Sequence, residues 1–182
     1  MDAPYLDALD EPAAAPLDDP RSDLEAVFHA HYPRVFRIVA RVLKDPARAE
    51  EVAVEVFLKW SKAADAPAES AEGWLYRTAV RKALDEIRRQ TRRSRYERLV
   101  GFLRGPAGPD ELLEIREKQR RVRLILSAMD PRQAELLLLR SQGFSYQELA
   151  STLGLNPASI GSVLSRAQQK FRKEFIKRYG EQ

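Results

Sequence analysis

The chain has 182 residues, 44% hydrophobic and 32% charged, with no cysteine and a formal net charge of +4. At about 100–200 residues per domain this allows one ordinary domain or two small ones, and it excludes a large enzyme barrel. The missing cysteines exclude a disulfide framework, a thiol nucleophile and a cysteine-based zinc site. No apolar run approaches the ~18 residues of a membrane span, so the chain reads as a cytoplasmic protein with no membrane insertion.

Residues 1–22 hold four prolines, six acids and one base, Arg21. Too little apolar surface is present to offset the entropy of ordering, and the segment is expected to be a disordered acidic arm. Helical periodicity begins at Asp23, with Leu24, Val27, Phe28, Val35, Val39 and Leu43 on one stripe interrupted by Pro33. Asp45-Pro46 supplies an N-cap and a first helical residue whose missing N–H costs nothing. The helix that follows turns Ala49, Val52, Ala53, Val56, Phe57 and Trp60 inward.

Residues Ala63 to Gly73 read as a loop. Trp74 opens a third helix with Leu75, Ala79, Ala83 and Ile87 at four-residue spacing. Gly101, Gly105, Pro106, Gly108 and Pro109 mark a linker. Beyond it, one helix should bury Ile115, Val122, Leu126 and Met129, and Asp130-Pro131 starts another. Ser145 with Glu148 forms a capping box, Gly154 stops the helix, and Asn156-Pro157 opens a long last helix. The fold class is therefore all-α: two small helical domains joined by a flexible linker, the second a helix-turn-helix. The boundaries are 1–22 for the arm, 23–98 for the first domain, 99–111 for the linker and 112–182 for the second domain.

Two basic features point to nucleic acid. In a DNA-binding helix-turn-helix the second helix places its N-terminal residues in the major groove, here Ser159, Ser162 and Arg166. Lys170, Arg172, Lys173, Lys177 and Arg178 follow and can neutralise phosphates. An ordinary helical hairpin with a solvated basic face is the competing reading.

The second feature is residues 77–104, with ten bases against three acids. Like charges clustered this way repel unless a polyanion neutralises them. The candidates here are Arg77, Arg81, Lys82, Arg88, Arg89 and Arg92, with Trp74 and Tyr76 as platforms for unpaired bases. His29 and His31 are two apart, wrong for two ligands on one helical face. No metal site, cofactor or catalytic constellation is expected, and the chain does not read as an enzyme.

Together these segments resemble the extracytoplasmic-function (ECF) sigma factors of the sigma-70 family, the promoter-specificity subunits of bacterial RNA polymerase. The stretch HYPRVFRIVARVLKDPARAEEVAVEVFLKW looks like the family's first two helices. GWLYRTAVRKALDEIRRQTRR is similar to its minus-ten-reading helix. The module AMDPRQAELLLLRSQGFSYQELASTLGLNPASIGSVLSRAQQKFRKEF resembles its minus-thirty-five-reading domain, with matches at Ser145, Tyr146, Glu148, Ala150, Leu153, Gly154, Leu164, Ser165, Arg166 and Ala167.

The resemblance implies binding to core RNA polymerase and promoter DNA, and allows an anti-sigma protein as a further partner. It places Glu50, Glu51, Glu55, Phe57, Leu58 and Lys59 on an exposed face that docks on the polymerase clamp. The loop Ala63 to Gly73 would help hold an extruded base. The chain departs from the family at Val54 (usually Gln), Arg81 (usually Asn), and Gly161 and Val163 (usually bases). The alternative function is a stand-alone helix-turn-helix regulator that binds DNA without core polymerase.

Overall fold

The computed structural model describes residues 20–63, 71–99 and 110–180, without the side chains of residues 20–23, 98–99 and 110–113. Most of the acidic arm, the centre of the 63–73 loop and the core of the Gly/Pro linker thus lie outside the described residues. Among the described residues there are seven α-helices and no strand: α1 (Pro20–Leu43), α2 (Pro46–Ser61), α3 (Ala71–Leu99), α4 (Asp110–Ala128), α5 (Pro131–Ser141), α6 (Tyr146–Leu153) and α7 (Ile160–Tyr179).

Local capping chemistry sets most boundaries. The Asp45 carboxylate accepts from the Arg48 N–H at 3.1 Å, and Asp130 does the same for Gln133 at 3.2 Å. In the capping box, Ser145 Oγ accepts from the Glu148 N–H at 3.2 Å while the Glu148 carboxylate accepts from the Ser145 N–H at 2.7 Å. Gly154 ends α6 with φ 64°, a left-handed conformation that a side chain would strain.

Three boundaries differ from the sequence expectation. α1 begins three residues earlier, at Pro20, and runs through Pro33. α3 begins at Ala71 rather than Trp74, with Ala71 buried. Asn156-Pro157 opens a 3₁₀ turn, Pro157–Ser159, and the α-helix itself starts at Ile160.

α1, α2 and α3 pack on one another as a first unit, and α4 to α7 form the second. The two units touch: α3 also packs against α4, α5 and α6, so that one apolar cluster runs from Val35 and Val56 through Leu84 and Ile87 to Ile125, Leu139 and Leu149. Leu126 and Met129 are buried as expected, but Ile115 and Val122, also expected inside, are 48% and 38% exposed, because α4 turns Ile125 to the core instead. Phe171, Phe175 and Tyr179 line up along α7, and the Arg121 guanidinium of α4 sits 5.1 Å from the Tyr179 ring centroid.

Candidate nucleic-acid interface

The helix-turn-helix presents its basic residues outward. Ser162, Arg166, Lys170 and Lys173 are exposed and Ser159 is half-buried. The turn's hydroxyls serve the backbone: Ser159 Oγ donates to the Asn156 carbonyl at 2.8 Å and Ser162 Oγ to the Ser159 carbonyl at 2.9 Å. Arg166 Nε donates to the Ser162 carbonyl at 3.3 Å, leaving its other guanidinium nitrogens toward solvent. Leu164 and Ala167 on the opposite face are buried, which fixes which side of α7 is free. Gly161 needs no special backbone, and a Cβ there would lie 3.7 Å from the Tyr146 ring, an ordinary contact.

The basic run on α3 divides in two. Toward its C-terminal end, Arg92 and Arg95 are exposed, and Arg89 pairs with Glu86 while keeping 60% of its side chain in solvent. Lys82 donates to Glu55 at 2.7 Å, and Arg88 donates to Asp85 and to the Ser127 carbonyl.

The N-terminal half lies against the second unit. Arg81 Nε donates to Glu135 of α5 at 2.8 Å. Trp74 and Arg77 are half-buried. Tyr76, expected as a stacking platform, is 3% exposed, its ring edge-on to Phe144 at 5.6 Å and its hydroxyl 3.2 Å from His31 Nδ1. Burial, with the negative charge of Glu72, pushes the Tyr76 hydroxyl up to about 12.

Arg34 of α1 is the residue sequence reasoning missed. Its guanidinium lies 4.8 Å from the Tyr76 ring centroid and 4.6 Å from that of Phe144, and it donates to Glu148 at 3.0 Å and Glu72 at 3.3 Å. Burial lowers the affinity of Arg34 for its proton, but the Glu148 hydrogen bond and the surrounding negative charge outweigh it and hold the group above its ordinary value. Its sequence neighbourhood, an apolar stripe after a proline, carries no sign of this role. All of its cross-unit partners are more than 100 residues away.

On α2, Glu50, Glu51, Leu58 and Lys59 are exposed, and Glu55 is half-exposed and engaged with Lys82 and Arg48. Phe57 does not share that face. It is 3% exposed, with its ring 4.8 Å from Phe28 and 6.2 Å from Tyr32, because the same inward stripe that carries Val56 and Trp60 claims it. Val54, one turn before Leu58, is 40% exposed and extends the face instead.

Two family models match these two units: sigma-70 region 2 over residues 27–93 and sigma-70 region 4 over residues 119–171. The chain belongs to the ECF sigma factors of the sigma-70 family. It is similar to the ECF RNA polymerase sigma factor SigK of Mycolicibacterium vanbaalenii, 34% identical over 77% of this chain and 75% of the relative. It is also similar to SigK of Mycobacterium ulcerans, 30% identical over 82% and 84%, and to SigE of Mycolicibacterium smegmatis, 26% identical over 99% and 74%. The region 2 match spans most of α1 to α3, and the region 4 match runs from within α4 into α7. Nothing in these comparisons favours a stand-alone regulator. Among the described residues of this sigma factor no helix is long and apolar enough to cross a membrane.

Proposed function

We propose that this sigma factor binds core RNA polymerase through the outer face of α2 and places it on promoters by two separate DNA contacts. α3 reads the minus-ten element and α7 the minus-thirty-five element. The observation that most supports this division is the presence of a solvent-facing basic surface on each unit: Arg89, Arg92 and Arg95 on α3, and Arg166, Lys170 and Lys173 on α7. Two modest contacts held on one polymerase share an effective concentration, so neither needs high affinity alone. The protein acts by binding rather than as an enzyme, in the cytoplasm where polymerase and chromosome meet. An anti-sigma protein that covers these faces is a further partner.

On α2, Glu50, Glu51, Val54, Leu58 and Lys59 offer an apolar strip rimmed by charge. Glu55 contributes less directly, since it holds Lys82 at 2.7 Å. Glu50→Lys is therefore the clean charge reversal, because it breaks no ion pair in the described structure. It should weaken competition for core polymerase while leaving the melting temperature unchanged, and wild-type competition would remove α2 from the docking surface. Arg166→Ala should weaken use of the upstream element, read as reduced protection there by holoenzyme. Equal protection would remove Arg166 from the contact.

A further inference from the structure

We infer that the acidic segment near the start of the chain, Tyr5 to Glu11, docks on its own molecule, in a cation-rimmed apolar groove where the end of α1 meets α4 and α5. Residues 1–19 lie outside the described residues, whereas the groove is wholly within them. This docking is independent of the DNA and polymerase contacts proposed above.

The groove has a volume of about 310 Å³. Val42, Ile87, Leu126 and Leu138 form its floor, and Val122, 38% exposed, adds to the apolar lining. Arg41, Lys44, Lys118 and Arg123 line it as well, the first three exposed to solvent. None of its lining residues is acidic. Among the described residues none of these four cations is paired with a carboxylate, and Arg41 reaches only the Gln142 side-chain oxygen, at 3.4 Å. Burial, with the neighbouring charge of Arg120, lowers the affinity of the Arg123 guanidinium for its proton. A carboxylate brought to this rim therefore offsets both the repulsion and the lost hydration.

Tyr5 to Glu11 has the complementary make-up. Tyr5, Leu6 and Leu9 are apolar, Asp7, Asp10 and Glu11 are acidic, and no base stands among residues 1–19. The reach is sufficient: α1 has 24 residues and is about 36 Å long, whereas the ~14 residues from Leu6 to Pro20 span up to about 46–50 Å. A cleft at the small end of the ~300–1,000 Å³ range of ligand sites takes a few side chains rather than a whole element. Nucleic acid is the poorer occupant, because a phosphodiester chain gains nothing from the apolar floor. Residues 100–109, also outside the described residues, carry one base, Arg104, and no acid. Tethering compensates for a weak contact: with a dissociation constant of about 100 μM for the untethered segment, an effective concentration of about 1 mM fills the groove to roughly nine-tenths. Any other acidic ligand of the groove then binds about tenfold more weakly.

Because the chain has no cysteine, Ala8→Cys carries a single nitroxide label in the full-length protein. At about 10 mM salt, where charges act over about 30 Å, the label should broaden the backbone amide resonances of Arg41 to Lys44 and of Lys118 to Leu126. At about 1 M salt, where that range falls to about 3 Å, the broadening should drop at least about threefold. No broadening at these amides, or broadening centred on Arg92 and Arg95 of α3 or on Lys170 and Lys173 of α7, would overturn the docking.

Lys44→Gln/Lys118→Gln removes two exposed charges of the rim. The melting temperature should stay within about 3 °C of the parent, while the broadening at Gln119 to Leu126 falls at least about threefold. Asp7→Asn/Asp10→Asn/Glu11→Gln, which lies outside the described structure, should give the same fall. Unchanged broadening in either variant would overturn the pairing of the acidic segment with this rim. Isotope-labelled parent mixed with an equal amount of spin-labelled chain of natural isotope content should show no broadening, and broadening in that mixture would place the segment on a second copy instead.

Discussion

Phe57 and Leu58 are neighbours on α2 with opposite fates, and substituting each tests whether the polymerase-facing surface has been drawn correctly. Phe57 is 3% exposed against Phe28 and Tyr32, whereas Leu58 is 53% exposed. Removing a buried phenyl ring leaves a cavity that neighbouring rings fill only in part, at a cost of about 3–5 kcal/mol. For a chain of this size each kcal/mol moves the midpoint by roughly 2–4 °C, so Phe57→Ala should melt about 10 °C lower. Leu58→Ala removes a side chain already in water and should stay within about 0.5 kcal/mol of the parent. Circular dichroism melts paired with core-polymerase pull-downs at 20 °C separate the two. Leu58→Ala should lose polymerase affinity at parental stability. If Phe57→Ala instead melted within about 2 °C of the parent and still failed to bind polymerase, Phe57 would be a contact residue and its placement in the core wrong.

Ser145→Ala deletes half of the α6 capping box and should cost about 1 kcal/mol, a drop of roughly 3 °C in the melt. Gly161→Lys restores a base at a family position where the structure has room for a side chain, and should steepen the salt dependence of DNA binding by about 0.9 in log–log slope. An unchanged slope would show that residue 161 faces away from phosphate.

Stability should also fall in acid through two glutamates. At Glu86 burial works against ionisation, but hydrogen bonds and charge from Arg48 and Arg89 outweigh it and hold the carboxyl below its ordinary value. At Glu148 the Ser145 N–H and hydroxyl, with Arg34, do the same. Because both are depressed in the folded state, their stabilisation is complete above the ordinary glutamate value near 4.5 and is lost as pH falls below it through the folded values. Glu86→Gln should flatten that decline in urea melts between pH 6 and 3, and an unaltered slope would remove Glu86 from the linkage.

Features governed by neighbours in the chain were legible beforehand. Asp45-Pro46, Asp130-Pro131, Ser145 with Glu148, and Gly154 all cap helices as their residue types require, since a cap is a contact within about one turn. The outward basic face of α7 followed from the periodicity of Leu164 and Ala167. Tertiary choices were not legible. On α4 a 3.6-residue period fits a face containing Ile115 and Val122 nearly as well as one containing Ile125, and packing against α3 decided between them. Phe57 was assigned outward by resemblance and inward by periodicity, and the aromatic cluster with Phe28 and Tyr32 favoured periodicity. Arg34 pairs with Glu148 and lies over the Phe144 ring on the far unit, and no local pattern announces a contact across so long a stretch of chain.

As a sigma factor, the chain should direct core polymerase to promoters through two DNA-reading units. The most direct measurement is run-off transcription from a fragmented genomic library, with purified chain and core polymerase added separately and together. Discrete transcripts are expected only when both are present, with start sites that share two upstream elements. Transcripts indifferent to the added chain, or DNA footprints made by the chain that core polymerase neither requires nor alters, would contradict it.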